Sequence, residues 1–477
     1  MIVQGAPLSA RPSIDAGTGR AYPARIMLRD LGDGLVLRRG TPADADALAA
    51  FNADVLRYQD APDPEPSMGA WTRDLIEGRH PTFRPESALL VEDTRGKSIV
   101  SSMVLLSHTW TYAGVPLSVG QPEIVGTRAE FRGRGLVRAM FDVAHAWSAE
   151  RGHRLLAING IPWFYRQFGY EMALELGGGP RLYTVGLAAG VRQPTPPYRL
   201  RPATGADAPF LAATSAHAGR RYLVTAPRDA AAWRYVVSGR SAGSAARNEV
   251  RIVESEAGEP AGYLEHVPKL WGPGLHVREL EVAAGVSWRA VAYPVLAYLC
   301  ETGEAYARAA KADLGLLDFW LLGSAHPFAG VVQFSSSRRP YAFYLRAPDL
   351  PDLLRRLTPV LERRLAESPL LGHTGDVRLS FFRDGVRLTL DGGRIKSVEA
   401  WPPPRTVAGL DFSLPSADER RPSAMFPGLT FLQLLFGYRS LAELEAAFPD
   451  CVVRGQEPRA LLEALFPKQP SKVWPIL

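Results

Sequence analysis

Leu37-Arg38-Arg39-Gly40-Thr41-Pro42-Ala43-Asp44-Ala45-Asp46-Ala47-Leu48 recurs as Leu200-Arg201-Pro202-Ala203-Thr204-Gly205-Ala206-Asp207-Ala208-Pro209-Phe210-Leu211, with seven of twelve positions identical and an offset of 163 residues. Each copy reads as a short strand, a Thr at the N-cap of a helix, and a helix with Asp in its first turn. A period this long means two copies of a whole domain, not a solenoid. Gln193-Pro194-Thr195-Pro196-Pro197 between them reads as a stiff linker.

A chain of 477 residues has room for a third domain at about 100–200 residues each. Past the second copy, Leu350, Leu353, Leu354, Leu357 and Leu361 recur at helical spacing. Strand-like 377–382 and 386–390 flank Asp384-Gly385, and Asp391-Gly392-Gly393 turns into 395–398. Two short helices follow the break at Trp401-Pro402-Pro403-Pro404, around 431–436 and 441–448, giving an α+β third domain.

Composition narrows the function classes. With 46% hydrophobic and 22% charged residues the chain is of ordinary globular character. No run of about 18 apolar residues occurs, so no membrane span is expected. Residues 1–33, rich in Pro, Gly, Ser and Ala, read as a poorly structured extension rather than a secretory signal. Cys300 and Cys451 are too few for a disulfide framework, which points to the cytoplasm. The net charge of +6 is scattered and carried by Arg, with no basic block, so no nucleic-acid partner is expected. The histidines are isolated and lack metal-ligand spacing, so no metal is expected.

The chemistry concentrates in one stretch. Glu123-Ile124-Val125-Gly126-Thr127 reads as a strand, running through Arg132-Gly133-Arg134-Gly135 into a helix marked by Leu136, Met140, Val143 and Trp147. A strand, a glycine-rich turn and a helix start make an anion site: backbone N–H groups point outward and the helix dipole adds about half a positive charge. Three readings compete. A mononucleotide loop at Gly96-Lys97-Ser98 fails because Val91 stands where a Gly is needed, and a dinucleotide fingerprint fails at Arg138. The acyl-CoA pattern Arg/Gln-x-x-Gly-x-Gly/Ala of GNAT acetyltransferases fits from Arg132 onward except at Val137. Gly239-Arg240-Ser241-Ala242-Gly243 formally matches a nucleophile elbow but lacks the helix that the elbow requires.

Downstream, strand-like 155–159 precedes Pro162-Trp163-Phe164-Tyr165-Arg166-Gln167-Phe168-Gly169-Tyr170, which resembles the Tyr-x-x-x-Gly-Phe/Tyr segment of GNAT enzymes. With Arg132 through Met140, this segment makes the chain resemble the enhanced-intracellular-survival acetyltransferase family over nearly all its length past residue 34. That resemblance implies a mixed α/β, α+β architecture: an active GNAT domain over 34–190, a degenerate one over 198–345, a sterol-carrier-protein-like domain over 346–462 and a tail, 463–477, reaching toward the active site. It implies acetyl-CoA as co-substrate, a primary-amine acceptor (aminoglycoside-like, lysine or another amine) and a homo-oligomer, trimer or hexamer. The stretch 280–289 of the second copy lacks the paired glycines and is expected to bind no CoA.

Site roles follow from the resemblance. Backbone groups of Val125, Gly126 and Thr127 would pair with the pantetheine arm, and Arg132, Gly133, Arg134, Gly135, Leu136, Val137 and Arg138 would cradle the pyrophosphate. Tyr165 becomes the general acid, or else a core aromatic. Asn159 contacts CoA or the acyl group, or simply ends its strand. Two bases stay open: the α-carboxylate of Leu477, at the end of an apolar tail, and Glu123, otherwise a solvated surface residue. The contrasting function is a non-catalytic lipid- or metabolite-binding protein that uses the third domain beside a vestigial first one.

Overall fold

The computed structural model describes residues 13–14 and 21–22 by backbone alone, and 26–57, 62–185, 187, 197–403 and 421–474. The linker 193–197 lies outside them except for Pro197, as does most of the expected extension over 1–33. The extension is corrected at its end. Met27–Gly32 is a strand (β1) paired with Leu35–Arg39 (β2) across a turn of left-handed residues, so regular structure begins ahead of residue 34.

Two compact units form. The first holds Met1–Ser107, Gly120–Arg151 and Ala231–Asn248; the second holds His108–Val119, Gly152–Ala230 and Glu249–Leu477. In the first, β2 enters helix α1 (Ala45–Val55), and helix α2 (Pro66–Ile76) packs against it. Strand β3 (Ala88–Asp93) pairs with β2 on one side and, on the other, with β4 (Ser98–Tyr112) as far as Val104. Strand β5 (Val115–Thr127) leads into helix α3 (Leu136–Glu150). Leu136, Ala139, Met140, Phe141, Ala144 and Trp147 are the buried face of α3, and Val143 is half-buried.

Residues 231–248 belong with this unit because they dock on α2. Ser241 donates from its amide and its hydroxyl to Asp74 Oδ2, both at 3.0 Å, and Ala245 N–H donates to Ser67 O at 2.9 Å. The expected boundary at 198–345 is therefore crossed by this segment. Ser241 sits on a turn after a helical stretch, bonded to a carboxylate, which is not the geometry of a nucleophile elbow.

The second unit contains an exchange of strands across the expected boundary between the two copies. Its first sheet contains β6 (Leu155–Ile158) and β7 (Glu171–Leu176). Strand β8 (Pro180–Tyr183), from the end of the first copy, joins the sheet of the second copy. That copy begins with β9 (Tyr198–Pro202), helix α4 (Ala208–Gly219) and β10 (Val224–Thr225), which pairs with the far end of β4 at Thr111 and Tyr112. It continues with β11 (Glu249–Ser255), β12 (Pro260–His266), β13 (Gly274–Val282), helix α5 (Trp288–Ala310), β14 (Leu316–Asp318) and β15 (Ser336–Ser337). β8 inserts between β14 and β15, while β16 (Tyr341–Arg346), from the end of the second copy, inserts between β6 and β7.

The rest of this unit is a helix, α6 (Leu350–Ala366), over a five-stranded sheet of β17 (Gly375–Ser380), β18 (Gly385–Asp391), β19 (Arg394–Ala400), β20 (Ala424–Met425) and β21 (Val452–Val453), with three shorter helices, α7 (Phe431–Leu435), α8 (Leu441–Ala447) and α9 (Gln456–Leu465). Leu353, Leu354, Leu357, Leu361 and Leu365 form the buried stripe of α6, as the leucine spacing requires. No helix among the described residues is long and apolar enough to cross a membrane.

Candidate active site

The first unit carries the glycine-rich turn. Gly133 and Gly135 both have left-handed backbones, φ +77° and +74°, and a Cβ at either would meet nothing within 4 Å. Glycine is needed here for the backbone, and the space it leaves faces outward. Gly135 is the N-cap of α3, and no side chain caps the helix there. The corresponding helix of the second copy, α5, is closed by its own residue: the Ser287 hydroxyl accepts from Ala290 N–H at 3.4 Å. A helix start without a side-chain cap retains donors for an anion, whereas a capped one spends them.

Arg132, Arg134 and Arg138 are exposed around the turn. Arg132 Nε donates to Thr127 O at 3.3 Å, and Arg134 lies over the Phe131 ring at 5.1 Å. The side chain of Leu136 points into the core, so only its backbone can serve a ligand, while Val137 is half-buried. Arg128, which sequence reading passed over, is used structurally: it donates to Ile99 O at 3.2 Å and to Asp54 Oδ2 at 3.1 Å.

Strand β5 ends irregularly. Ile124 has φ +52°, a real outlier for a β-branched residue. Exposure still alternates, with Glu123, Val125 and Thr127 half-buried and Ile124 and Gly126 buried. A Cβ on Gly126 would come within 2.9 Å of Val55 Cγ1, so glycine permits the end of α1 to close on the strand. A buried polar chain backs this end of the strand. Ser101 Oγ is 2.9 Å from Gly126 O and 2.7 Å from Thr127 Oγ1; Ser102 Oγ donates to Asn52 Oδ1 at 2.8 Å, and Asn52 Nδ2 to Thr72 Oγ1 at 3.0 Å. No short motif links these residues, and the sequence reading missed them.

Glu123 accepts from Gln121 Nε2 at 2.8 Å. Burial pushes its carboxyl up to about 7, an effect only partly offset by Gln121 and the Ile124 amide. A carboxyl poised there can exchange a proton near neutrality. Gln121 could have been found in the sequence, because it precedes Glu123 by two on the same strand.

The second unit holds the aromatic segment. Tyr165 lies in a 3₁₀ turn (Phe164–Phe168), 4% exposed, edge-on to Phe164 at 5.3 Å and to Tyr344 at 5.5 Å. Its hydroxyl is 3.3 Å from where a Cβ on Gly160 would stand. Gly169, φ +82°, ends the turn, and its missing side chain leaves room for Arg346 Nε, 3.2 Å from the Cβ position. Trp163 is 69% exposed with φ +66°; its N–H donates to Tyr344 Oη at 2.5 Å and Arg166 stacks on its ring at 3.9 Å. Asn159 is half-buried just past β6. Leu477 lies outside the described residues, which end at Trp474, its ring tilted against Phe343 at 6.4 Å. Thus the structure groups Glu123, Val125, Gly126, Thr127 and 132–138 in one unit, and Asn159 and Tyr165 in the other. No group of three metal-ligating side chains occurs among the described residues.

No curated protein matches the chain in sequence. Solved structures do share its fold. A GCN5-related N-acetyltransferase from Kribbella flavida is 17% identical, with 93% of this chain and 98% of that one covered at a TM-score of 0.59. A GCN5-related N-acetyltransferase from Anabaena variabilis is 12% identical, covering 92% and 98% at 0.60. Eis1 from Mycobacterium abscessus is 15% identical, covering 91% and 98% at 0.57. The family model for an acetyltransferase (GNAT) domain matches residues 36–173, which span the glycine turn, Glu123 and Tyr165. Residues 36–173 are therefore a GNAT-family acetyltransferase domain.

Proposed function

We propose that the chain is an acetyl-CoA-dependent N-acetyltransferase that acylates a primary amine. The observation that carries this reading is the start of α3: two left-handed glycines, open space beside them and no side-chain cap. These features suit a diphosphate, and the residues present fit the group. Acetyl-CoA supplies the activated acyl thioester. The amides of 133–138 and the exposed Arg132, Arg134 and Arg138 hold its phosphates, and the end of β5 offers backbone groups to the pantetheine arm.

The amine must lose a proton before it attacks, and the thiolate must gain one. Glu123, with its carboxyl near 7, takes the first proton. Tyr165 supplies the second: its hydroxyl holds a proton that it can share with the departing thiolate. The Leu477 carboxylate is the competing base. In support of it, Trp474 packs on Phe343, whose strand neighbour Tyr344 packs on Tyr165. A C-terminal tag that lowers turnover more than an N-terminal one selects Leu477 over Glu123.

The acceptor is an amine of aminoglycoside, lysine-bearing or metabolite type. The sterol-carrier-like character of 346–462, a trimeric or hexameric assembly and a cytoplasmic location belong to the same proposal. Release of free thiol from acetyl-CoA across an amine panel tests it; a chain that binds acetyl-CoA yet acylates no amine would return the non-catalytic reading.

A further inference from the structure

The second unit contains a cavity of about 720 Å³, within the usual range for small-molecule sites, and neither Tyr165 nor Asn159 lines it. Its floor is a buried charge network. Lys472 Nζ lies 3.2 Å from Glu281 and 3.4 Å from Glu279, Arg221 donates to Glu281 at 2.5 Å, and Arg228 pairs with Glu265 and Glu279. Three carboxylates thus meet three cations, and the network balances, with Glu265 behind the lining. Burial alone works against the charge of Glu281, but Lys472, His326 and Arg221 outweigh it and hold the carboxyl well below its usual range.

The rest of the wall is unbalanced. Arg220, Arg363 and Arg364 line the same cavity, and among the described residues no carboxylate pairs with any of them. Arg364 instead rests on neutral acceptors: Tyr112 Oη at 3.1 Å, Leu465 O at 2.7 Å and Gln469 Oε1 at 3.2 Å. Glu367 is the one further carboxylate of the lining. Three buried polar atoms in the lining, Arg221 Nε, Trp474 Nε1 and the Tyr222 hydroxyl, lack a partner and all can donate, whereas among the described residues no buried acceptor-only atom of the lining lacks a donor. Surplus cations and surplus donors call for oxygens from outside the chain. Leu223 and the Trp474 ring add apolar wall.

We propose that this cavity is a binding site for a small organic anion, an apolar body carrying a phosphate-like head. The ligand is separate from the acyl donor, whose phosphates are assigned to 132–138, and the assignment stands whether or not the chain acylates amines.

Phenyl phosphate is the probe. Calorimetry on the full chain should show one saturable site whose affinity falls about tenfold or more in an Arg220→Gln, Arg363→Gln double variant, as for the loss of charge-assisted hydrogen bonds. Arg363 and Arg220 are surface residues, so the fold is kept. Gly135→Val should leave this affinity unchanged, which separates the site from the glycine turn. No saturable binding, an affinity indifferent to the double variant, or loss of binding in Gly135→Val overturns the proposal. Equal affinity for inorganic phosphate overturns the organic character of the ligand.

Discussion

Arg38 grips both carboxylate oxygens of Asp44, Nη1 at 2.9 Å and Nη2 at 2.8 Å, while its Nε reaches Glu92 at 2.5 Å. Asp44 also accepts from the amide and hydroxyl of Thr41, both at 2.8 Å. The second copy repeats the clasp: Arg201 meets Asp207 at 2.9 and 2.7 Å and Glu254 at 2.6 Å, with Thr204 as cap. This clasp is the physical content of the duplicated twelve residues. It ties strand, turn and helix start together, independently of any bound cofactor.

The two clasps differ in depth, and their contributions should differ accordingly. Arg38 and Asp44 are 5% and 2% exposed, whereas Arg201 and Asp207 are 36% and 11% exposed. Asp44→Asn should destabilise by about 3 kcal/mol, as for a broken buried pair. Asp207→Asn should cost about 1 kcal/mol, because water screens that pair. Burial opposes the charge on Asp44, yet Arg38 and Thr41 prevail and lower its pKa. Its contribution is therefore present above the unfolded value and lost as pH falls through the folded one. Thermal midpoints of wild type and Asp44→Asn should converge in acid; a constant gap contradicts the assignment.

Tyr165→Phe keeps the ring against Phe164 and Tyr344 and removes only the hydroxyl. Turnover should fall about 10²–10⁴-fold with acetyl-CoA affinity nearly intact. Turnover close to wild type makes Tyr165 a packing residue.

Glu123 predicts a pH profile. As a base with its carboxyl near 7, it should give kcat/KM an ascending limb through about pH 7, absent in Glu123→Gln. The stability sign runs the other way from an ordinary carboxylate. A raised folded pKa means the fold is favoured below the unfolded value, about 4.5, and loses that contribution as pH rises through 7. Above pH 7, Glu123→Gln should be more stable than wild type, on the order of 3 kcal/mol. A limb that persists in the variant moves the base to another group.

Local chemistry made the repeat, the turn and α3 legible. Thr41 and Asp44 lie three residues apart, and both glycines stand where only glycine is comfortable. The exchange of strands was hidden because its pairs are remote: Tyr344 opposes Ile158, and Leu182 opposes Leu317. Such register depends on which edges are open, not on the pattern of one strand. The positive φ of Ile124 is not legible, because a β-branched residue argues against it and only the surrounding fold imposes it. Glu123 was legible as a candidate, but its raised pKa depends on enclosure, which no spacing reveals.

Titrating acetyl-CoA into wild type and Gly135→Val tests the central claim most directly. Valine at φ +74° strains the turn and places a branched side chain in the open space beside the start of α3. The account predicts that the variant stays folded, because that Cβ meets nothing within 4 Å, and loses most of its affinity for acetyl-CoA, while Arg134→Ala loses less. Unchanged affinity in a folded Gly135→Val protein would contradict it and place the donor elsewhere.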